Sequence, residues 1–154
     1  MPELQGAAVV ILVSPGRRRA GELMPGEDSG QRLQLGEQGE RLAEAFLLRR
    51  GAQVLQRNWR ARPSVHGVRG ELDLIVRQGP MLVGVEVKTR RGTDYGHPFE
   101  AVDATKLRRL HLLLAAWARE CGCLAERRVD VVAVLLLGQP GQERVRLEHR
   151  TGLH

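Results

Sequence analysis

The segment from residue 81 to residue 137 constrains the fold most, because it combines a strand, a helix and a buried strand. Residues 81–89 are a short apolar run, residues 98–119 carry apolar side chains at helical spacing, and residues 128–137 are rich in valine and leucine. A strand–helix–strand unit closes as a crossover that makes its two strands parallel. The sequence therefore predicts an α/β protein with a mixed central sheet flanked by helices.

Three further elements precede this unit. Residues 31–50 have the apolar spacing of a helix that ends at Gly51, and residues 52–60 and 71–77 are predicted strands. The tight Gly79-Pro80 turn predicts that the strand 71–77 and the strand 81–89 are antiparallel. The predicted order is αβββαβ, and residues 144–149 are interpreted as an additional edge strand.

The N-terminal segment has a different composition. Residues 1–30 combine Gly, Pro and mixed charge without sustained periodicity, which favours a disordered extension ahead of one domain over residues 31–150. Translation starting at Met24 is a hypothesis that the mass of the native N-terminus would test. The apolar run 7–13 is too short to span a bilayer and its arginines follow it, so neither a membrane anchor nor a signal peptide is expected and the cytoplasm is the default location.

Charge favours a polyanionic partner. The chain has 24 basic and 18 acidic residues, a net charge of +6, which favours nucleic acid ahead of an anionic membrane. Aromatic residues make up 3% of the chain, too few to indicate a stacking platform for single-stranded bases. Cys121 and Cys123 lack the further ligands of a zinc site and are interpreted as reduced thiols.

Three charged residues within the strands are the main candidates for chemistry. The two-residue period of a strand places Glu86 and Lys88 on one face about 7 Å apart, with Gly84 leaving space beside them. Antiparallel pairing with the preceding strand can place Asp73 next to Glu86. Burying such groups is costly unless they are paired or bind a metal. The pattern therefore predicts either a divalent-metal site or a buried Glu–Lys salt bridge.

A metal site of this composition would suit hydrolysis of phosphodiesters. Two carboxylates, from Asp73 and Glu86, suit Mg²⁺ or Mn²⁺, which retains bound waters. Such a metal polarises a phosphoryl oxygen and lowers the pKa of a bound water. Lys88 would position that water and stabilise the charge that develops in the transition state.

Lysine is rare in this chain. Of the 24 basic residues two are lysines, Lys88 and Lys106, which leaves 22 arginines. A lysine retained against this bias indicates a position where a bulky guanidinium would fail. Lys106 falls in the middle of the apolar stripe of the helix 98–119, where it either snorkels to the surface or reaches the metal site or a substrate phosphate. Arg90 and Arg109 are interpreted as phosphate contacts or as solvated charge.

Two other features have open interpretations. Glu40 lies at the edge of the buried arc of the first helix, so it is either a site residue or a helical carboxylate paired with an arginine. Tyr95 and His97 lie in the loop 92–98, which is either a substrate-facing flap or an ordinary loop.

Several motifs in order identify a family resemblance. The chain resembles the YraN-like family of bacterial proteins over about residues 35–137, on Gly36-Glu37-Gln38-Gly39-Glu40, Ala43, Arg57-Asn58-Trp59-Arg60, Gly70-Glu71-Leu72-Asp73-Leu74-Ile75, Val85-Glu86-Val87-Lys88-Thr89-Arg90, Gly96, Lys106 and Arg128-Val129-Asp130. That family is similar to the restriction-endonuclease-like fold, closest to archaeal Holliday junction resolvases. The resemblance implies Glu40, Asp73, Glu86 and Lys88 as site residues. Leu72-Asp73 replaces the Pro-Asp of many such nucleases, and the loop 62–68 is longer than usual.

These observations lead to one expected function and two rivals. The first is a Mg²⁺- or Mn²⁺-dependent endonuclease on DNA, favoured over RNA, with branched or structured DNA in replication or repair as its substrate. Glu40 would complete the site through a water or a second ion, and a homodimer is expected from the related resolvases. The rivals are a non-catalytic nucleic-acid-binding protein of the same fold and a structural protein with a core salt bridge.

Overall fold

The computed structural model describes residues 6–11, 28–92, 94, 96–139 and 142–154. Its elements follow the chain in this order: β1 (Gly6–Ile11), α1 (Asp28–Arg49), β2 (Gln53–Arg60), α2 (Pro63–His66), β3 (Glu71–Gln78), β4 (Met81–Arg91), a 3₁₀ helix (Pro98–Ala101), α3 (Ala104–Glu120), β5 (Arg127–Leu137) and β6 (Arg144–Arg150).

The strands form one six-stranded sheet in the order β1-β6-β5-β4-β3-β2. β4 and β5 are parallel, and α3 is the helix of the crossover that joins them. The other neighbouring strands are antiparallel. The mixed sheet, the αβββαβ core and the antiparallel β3–β4 pair confirm the predicted fold class, and they fit a restriction-endonuclease-like core.

The sheet separates two hydrophobic clusters, one under each long helix. Ala43, Phe46 and Leu47 of α1 pack on one face of the sheet, and the opposite face holds the second cluster, which includes Leu110, Leu113 and Leu114 of α3. β5 is buried from Val129 to Leu136, as its continuous apolar sequence predicts for a strand covered on both sides.

The predicted second helix is divided in the structure. The segment begins as the 3₁₀ helix Pro98–Ala101, and α3 starts afresh at Ala104. Asp103 causes the break, because it takes an extended conformation and its carboxylate accepts the Lys106 backbone N–H at 2.7 Å. The prediction of one continuous helix from Pro98 to Arg119 is therefore wrong at the N-terminal end.

The N-terminal strand changes two expectations. β1 lies within the segment predicted to be disordered, and it pairs along β6, so β6 is an inner strand instead of the predicted edge. The run Ala8-Val9-Val10-Ile11 explains this, because β-branched residues favour extended structure that completes a neighbouring strand. Residues 1–5 and 12–27, with Met24, lie outside the described residues, and the division into extension and domain stays a prediction. No described helix is long and apolar enough to cross a membrane.

Candidate active site

The candidate site lies where β3 and β4 stop pairing through their backbones. Their ladder runs from Gln78↔Met81 to Leu74↔Val85. Beyond that pair the Val87 N–H donates to Asp73 Oδ2 at 2.7 Å. If the ladder continued, a backbone carbonyl of β3 would accept this N–H. The Asp73 side-chain oxygen accepts it instead, so the Asp73 carboxylate lies between the two strands. The antiparallel register brings it beside Glu86, as predicted.

The same point of β3 departs from strict alternation. Leu72, Leu74 and Val76 are predicted to share a face, but Leu72 packs in the cluster under α3 whereas Leu74 and Val76 pack under α1. The predicted face of Leu72 is therefore wrong. The change of face falls at Asp73, and Asn58, opposite it on the neighbouring β2, has a φ of 49°.

Glu86 binds both lysines of the chain. Its side chain is buried, and the Nζ atoms of Lys88 and Lys106 each lie 3.1 Å from the same oxygen, Oε1. The neighbouring positions of Glu86 and Lys88 on one face are therefore confirmed. Lys106 points from α3 to the site, so the interpretation of a surface lysine that snorkels away from the sheet is wrong.

Two glycines let the helices approach β4 closely. A Cβ on Gly84 would lie 3.3 Å from the side chain of Leu114, so the space predicted beside Gly84 is filled by α3. A Cβ on Gly39 would lie 1.8 Å from Thr89 Oγ1. These contacts place Lys106 on one side of the site and Glu40, next to Gly39 on α1, on the other.

Glu40 lies next to Asn58 in a pocket between α1 and β2. Burial raises the pKa of its carboxyl, a hydrogen bond with Asn58 opposes this shift, and the nearby carboxylates of Glu71, Glu37 and Glu86 raise the pKa further. The arginine-paired alternative does not hold within the described ranges, where no arginine forms an ion pair with Glu40 and the neighbouring Arg57 binds Glu44.

Asp73 has the most perturbed acidity in this region. Burial and the charge of Glu86 raise its pKa to about 7, whereas the Val87 N–H and Lys88 act in the opposite direction. The carboxyl therefore keeps its proton to a higher pH than an ordinary aspartate does. A cation bound between Asp73 and Glu86 would remove the repulsion that keeps the proton in place.

The donor chemistry of this pair fits a hard divalent cation. Across the described ranges, no three His, Cys, Asp or Glu side chains are grouped closely enough to hold a metal ion. Mg²⁺ is commonly bound through one or two carboxylates and several waters. Asp73 and Glu86 therefore supply the kind of side-chain ligands that Mg²⁺ needs. Glu40 lies at the margin of the pair, and its role as a metal ligand stays a prediction.

The predicted phosphate contacts are dispersed around the site. Arg109 is exposed, and its Cδ packs near Gly70 at the start of β3. Arg90 continues β4 beyond Lys88, and its buried Nε has no hydrogen-bond partner in the described part of the chain. His97 Nε2 lies 2.9 Å from Glu148 Oε2, so His97 contacts β6. Tyr95 is outside the described residues, and the flap stays a prediction.

Comparison with known proteins identifies the family. The family model described as "Uncharacterised protein family UPF0102" matches residues 39–134, more than half of the chain. The chain belongs to this family. The YraN-like resemblance is thereby confirmed, and the matched span contains Glu40, Asp73, Glu86, Lys88 and Lys106.

Individual UPF0102 proteins are similar over most of their length. The relative from Renibacterium salmoninarum is 48% identical over 123 residues, which is 79% of this chain and 97% of the relative. The relative from Paenarthrobacter aurescens is 47% identical over 120 residues (77% and 92%), and that from Rhodococcus jostii is 47% identical over 117 residues (74% and 94%).

Sequence reasoning gave Asn58 no role of its own. It lines an open pocket of about 600 Å³ between α1 and β2 that also contains Glu37, Glu40, Glu44 and Arg57. The signal that could have found it is an asparagine within a strand, because asparagine tolerates the positive φ that most residues avoid. The pocket adjoins the candidate site through Glu40 and Asn58.

A second buried carboxylate within the UPF0102 match was also missed as a centre of interactions. Asp130 of β5 is fully buried and accepts hydrogen bonds from Arg128 Nε at 2.8 Å, Arg128 Nη2 at 2.9 Å and the Gly152 N–H at 3.0 Å. His149 Nε2 lies 2.9 Å from its Oδ2. An acidic residue within the apolar run 129–136 is the signal that could have identified it.

Proposed function

We propose that this UPF0102 protein is a Mg²⁺- or Mn²⁺-dependent endonuclease that hydrolyses phosphodiester bonds in DNA. The observation that carries the proposal is the pair of carboxylates, Asp73 and Glu86, where β3 and β4 separate, with Lys88 Nζ 3.1 Å from Glu86. The resemblance to restriction-endonuclease-like proteins and the net charge of +6 support it.

Asp73 and Glu86 are the residues that would hold the cation. When bound, the cation would polarise a phosphoryl oxygen and lower the pKa of a water molecule. Asp73 must lose its proton to act as a ligand, which its pKa of about 7 allows at slightly alkaline pH. Lys88, held at the edge of the site by Glu86, would orient the attacking water and stabilise the developing negative charge.

Glu40 has a supporting role in this proposal. Its carboxylate lies on the α1 side of the site, next to Asn58 and within electrostatic reach of Glu86. From there it would order a water molecule or a second ion. Because burial and the nearby carboxylates raise the pKa of Glu40, a bound cation would also favour the charged form of its carboxylate.

The proposed substrate is bound mainly through its phosphates. Lys106, Arg109 and Arg90 supply positive charge near the carboxylates, and phosphate contacts of this kind position a duplex without reading its sequence. The resemblance to resolvases favours branched or structured DNA over RNA, and a homodimer acting in the cytoplasm, in replication or repair.

A non-catalytic DNA-binding protein is the second candidate. One observation favours it: Glu86 has two ammonium partners and Asp73 has the Val87 N–H, so both carboxylates have partners without a metal. In this case the arginines would bind phosphates, and the buried charges would only stabilise the fold.

A cleavage panel separates the two candidates. The wild type, Lys88→Ala, Asp73→Asn and the control Arg119→Ala, an exposed position at the end of α3, would be incubated with Mg²⁺ and linear, flapped or four-way DNA. We expect the wild type and Arg119→Ala to cleave at least one substrate, and the two site variants to lose about 10²- to 10³-fold in rate. The binding protein would be favoured if neither the wild type nor the variants cleave any substrate. In that case DNA binding should be salt-sensitive and equally strong in the wild type and Lys88→Ala.

A further inference from the structure

The convergence of both lysines on one oxygen is the starting observation. Because Lys88 Nζ and Lys106 Nζ each lie 3.1 Å from the same oxygen, Glu86 Oε1, the two ammonium groups are close neighbours. Like charges this close together repel each other, so the second ammonium gains less from Glu86 than the first. In a chain with 22 arginines, the positions that crowd around this carboxylate are the two that carry a compact ammonium.

The two lysines differ in how the fold holds them. Lys88 is two residues from Glu86 on the same strand, so the β4 backbone keeps it beside the carboxylate. Lys106 reaches Glu86 from the first turn of α3 through its long side chain. A rotation about its side-chain bonds is enough to take its ammonium away. Arg109, one turn further along α3, is exposed on the same side of the helix.

We propose that Lys106 and a divalent cation exchange at Glu86, and that the displaced Lys106 ammonium then binds a phosphate of the substrate. The inference rests on the proposed function. In the metal-free protein, Lys106 neutralises the carboxylate and keeps the site folded. Binding of the cation releases Lys106, which becomes a phosphate-binding residue. By linkage, the cation then raises the affinity for DNA, and DNA raises the affinity for the cation.

The scarcity of lysine makes the exchange directly observable. Protein labelled with ¹³C at lysine Cε gives two side-chain signals, which Lys106→Arg assigns by removing one. Titration with Mg²⁺ alone should move the Lys106 signal towards the position and line width of a flexible lysine, while Lys88 keeps a signal typical of a fixed side chain. A Lys106 signal that does not move at saturating Mg²⁺ would overturn the exchange.

Affinity for Mn²⁺ gives a second, independent test. Lys106→Ala removes the competitor and should bind Mn²⁺ at least about fivefold more tightly than the wild type. Arg109→Ala, which removes an equal charge from the next turn of the same helix, should change the affinity less than about twofold. If both variants gained the same affinity for Mn²⁺, the effect would be a general one of charge, and this result would overturn the proposal.

The outcomes also separate this inference from the proposed function. If the wild type and Lys106→Ala bind Mn²⁺ equally and the wild type cleaves DNA, the exchange is wrong and the endonuclease stands. If neither protein binds Mn²⁺ and no DNA is cleaved, both are wrong. With metal present, Lys106→Ala should also bind DNA more weakly than the wild type, and without metal the two should differ less.

Discussion

Two aspartates in the same sheet, Asp130 fully buried and Asp73 partly buried, have pKa values shifted in opposite directions. Burial by itself would raise the pKa of Asp130, but its bonds to His149, Arg128 and the Gly152 N–H hold the pKa below its usual range. Asp73 is partly buried next to the carboxylate of Glu86 and accepts the Val87 N–H, and its pKa rises to about 7.

The difference lies in the balance of partners. Asp130 has an excess of donors, and these tie β5 to β6 and to the C-terminal residues, which is a structural task. In the region of Asp73, the lysines bind Glu86, so Asp73 is left with more repulsion than attraction. A buried acid that its own surroundings do not neutralise is a candidate for binding a cation.

Removal of the Asp130 carboxylate should have the largest effect on stability. Asp130→Ala would leave Arg128 and His149 without their shared partner, and we expect the free energy of unfolding to fall by about 3–5 kcal/mol. Urea denaturation followed by circular dichroism measures it. A loss below about 1 kcal/mol would show that the donors find other partners and would remove the contrast with Asp73.

The stability of the protein should fall as the pH rises through the range in which Asp73 loses its proton. The folded pKa of Asp73 lies above the unfolded value, so the folded protein binds more protons between pH 4 and pH 7, and stability is lost as pH rises through this range. Asp73→Asn keeps an acceptor for the Val87 N–H without the charge. At pH 8 we expect this variant to be about 2–4 kcal/mol more stable than the wild type, with the gap closing towards pH 4. Parallel pH profiles for the two proteins would contradict a raised pKa.

The two lysines should be coupled through Glu86. Lys88→Met or Lys106→Met leaves the carboxylate one ammonium, whereas the double variant leaves it with neither. We expect the double variant to lose about 1–2 kcal/mol more than the sum of the single losses. Strict additivity in a double-mutant cycle would mean that Glu86 does not depend on the lysines.

Breaking an exposed ion pair should have the smallest effect on stability. Arg41 and Glu37 lie 3.8 Å apart on the surface of α1, with side chains 81% and 54% exposed. Arg41→Ala should change the free energy of unfolding by less than about 0.5 kcal/mol. A larger change in the same denaturation experiment would show that the solvent-exposed face of α1 matters to the fold.

Local rules predicted much of this site. Strand periodicity placed Lys88 beside Glu86, antiparallel pairing placed Asp73 next to both, and the strand–helix–strand pattern gave the parallel β4–β5 pair. These features depend on residues close in sequence or on a tight turn, so the sequence pattern contains them.

Other features depend on tertiary contacts that the pattern does not contain. Asn58 lies next to Glu40 in an irregular β2 and has a positive φ, and the partners of Asp130 include residues of β6 and of the C-terminal segment. The direction of Lys106 was open because it depends on how closely α3 approaches Gly84. β1 was missed because it pairs with β6, a strand more than a hundred residues away in the chain.

Calorimetric titration with Mn²⁺ tests the central claim most directly, because the claim is that Asp73 and Glu86 form a cation site whereas Asp130 does not. We predict that the wild type binds Mn²⁺ at pH 8 and binds it about tenfold more weakly at pH 6, because protons compete at Asp73. We expect Asp73→Asn to lose this binding and the folded fraction of Asp130→Asn to keep it unchanged. Equal affinities for the wild type and Asp73→Asn, or an affinity independent of pH, would contradict it.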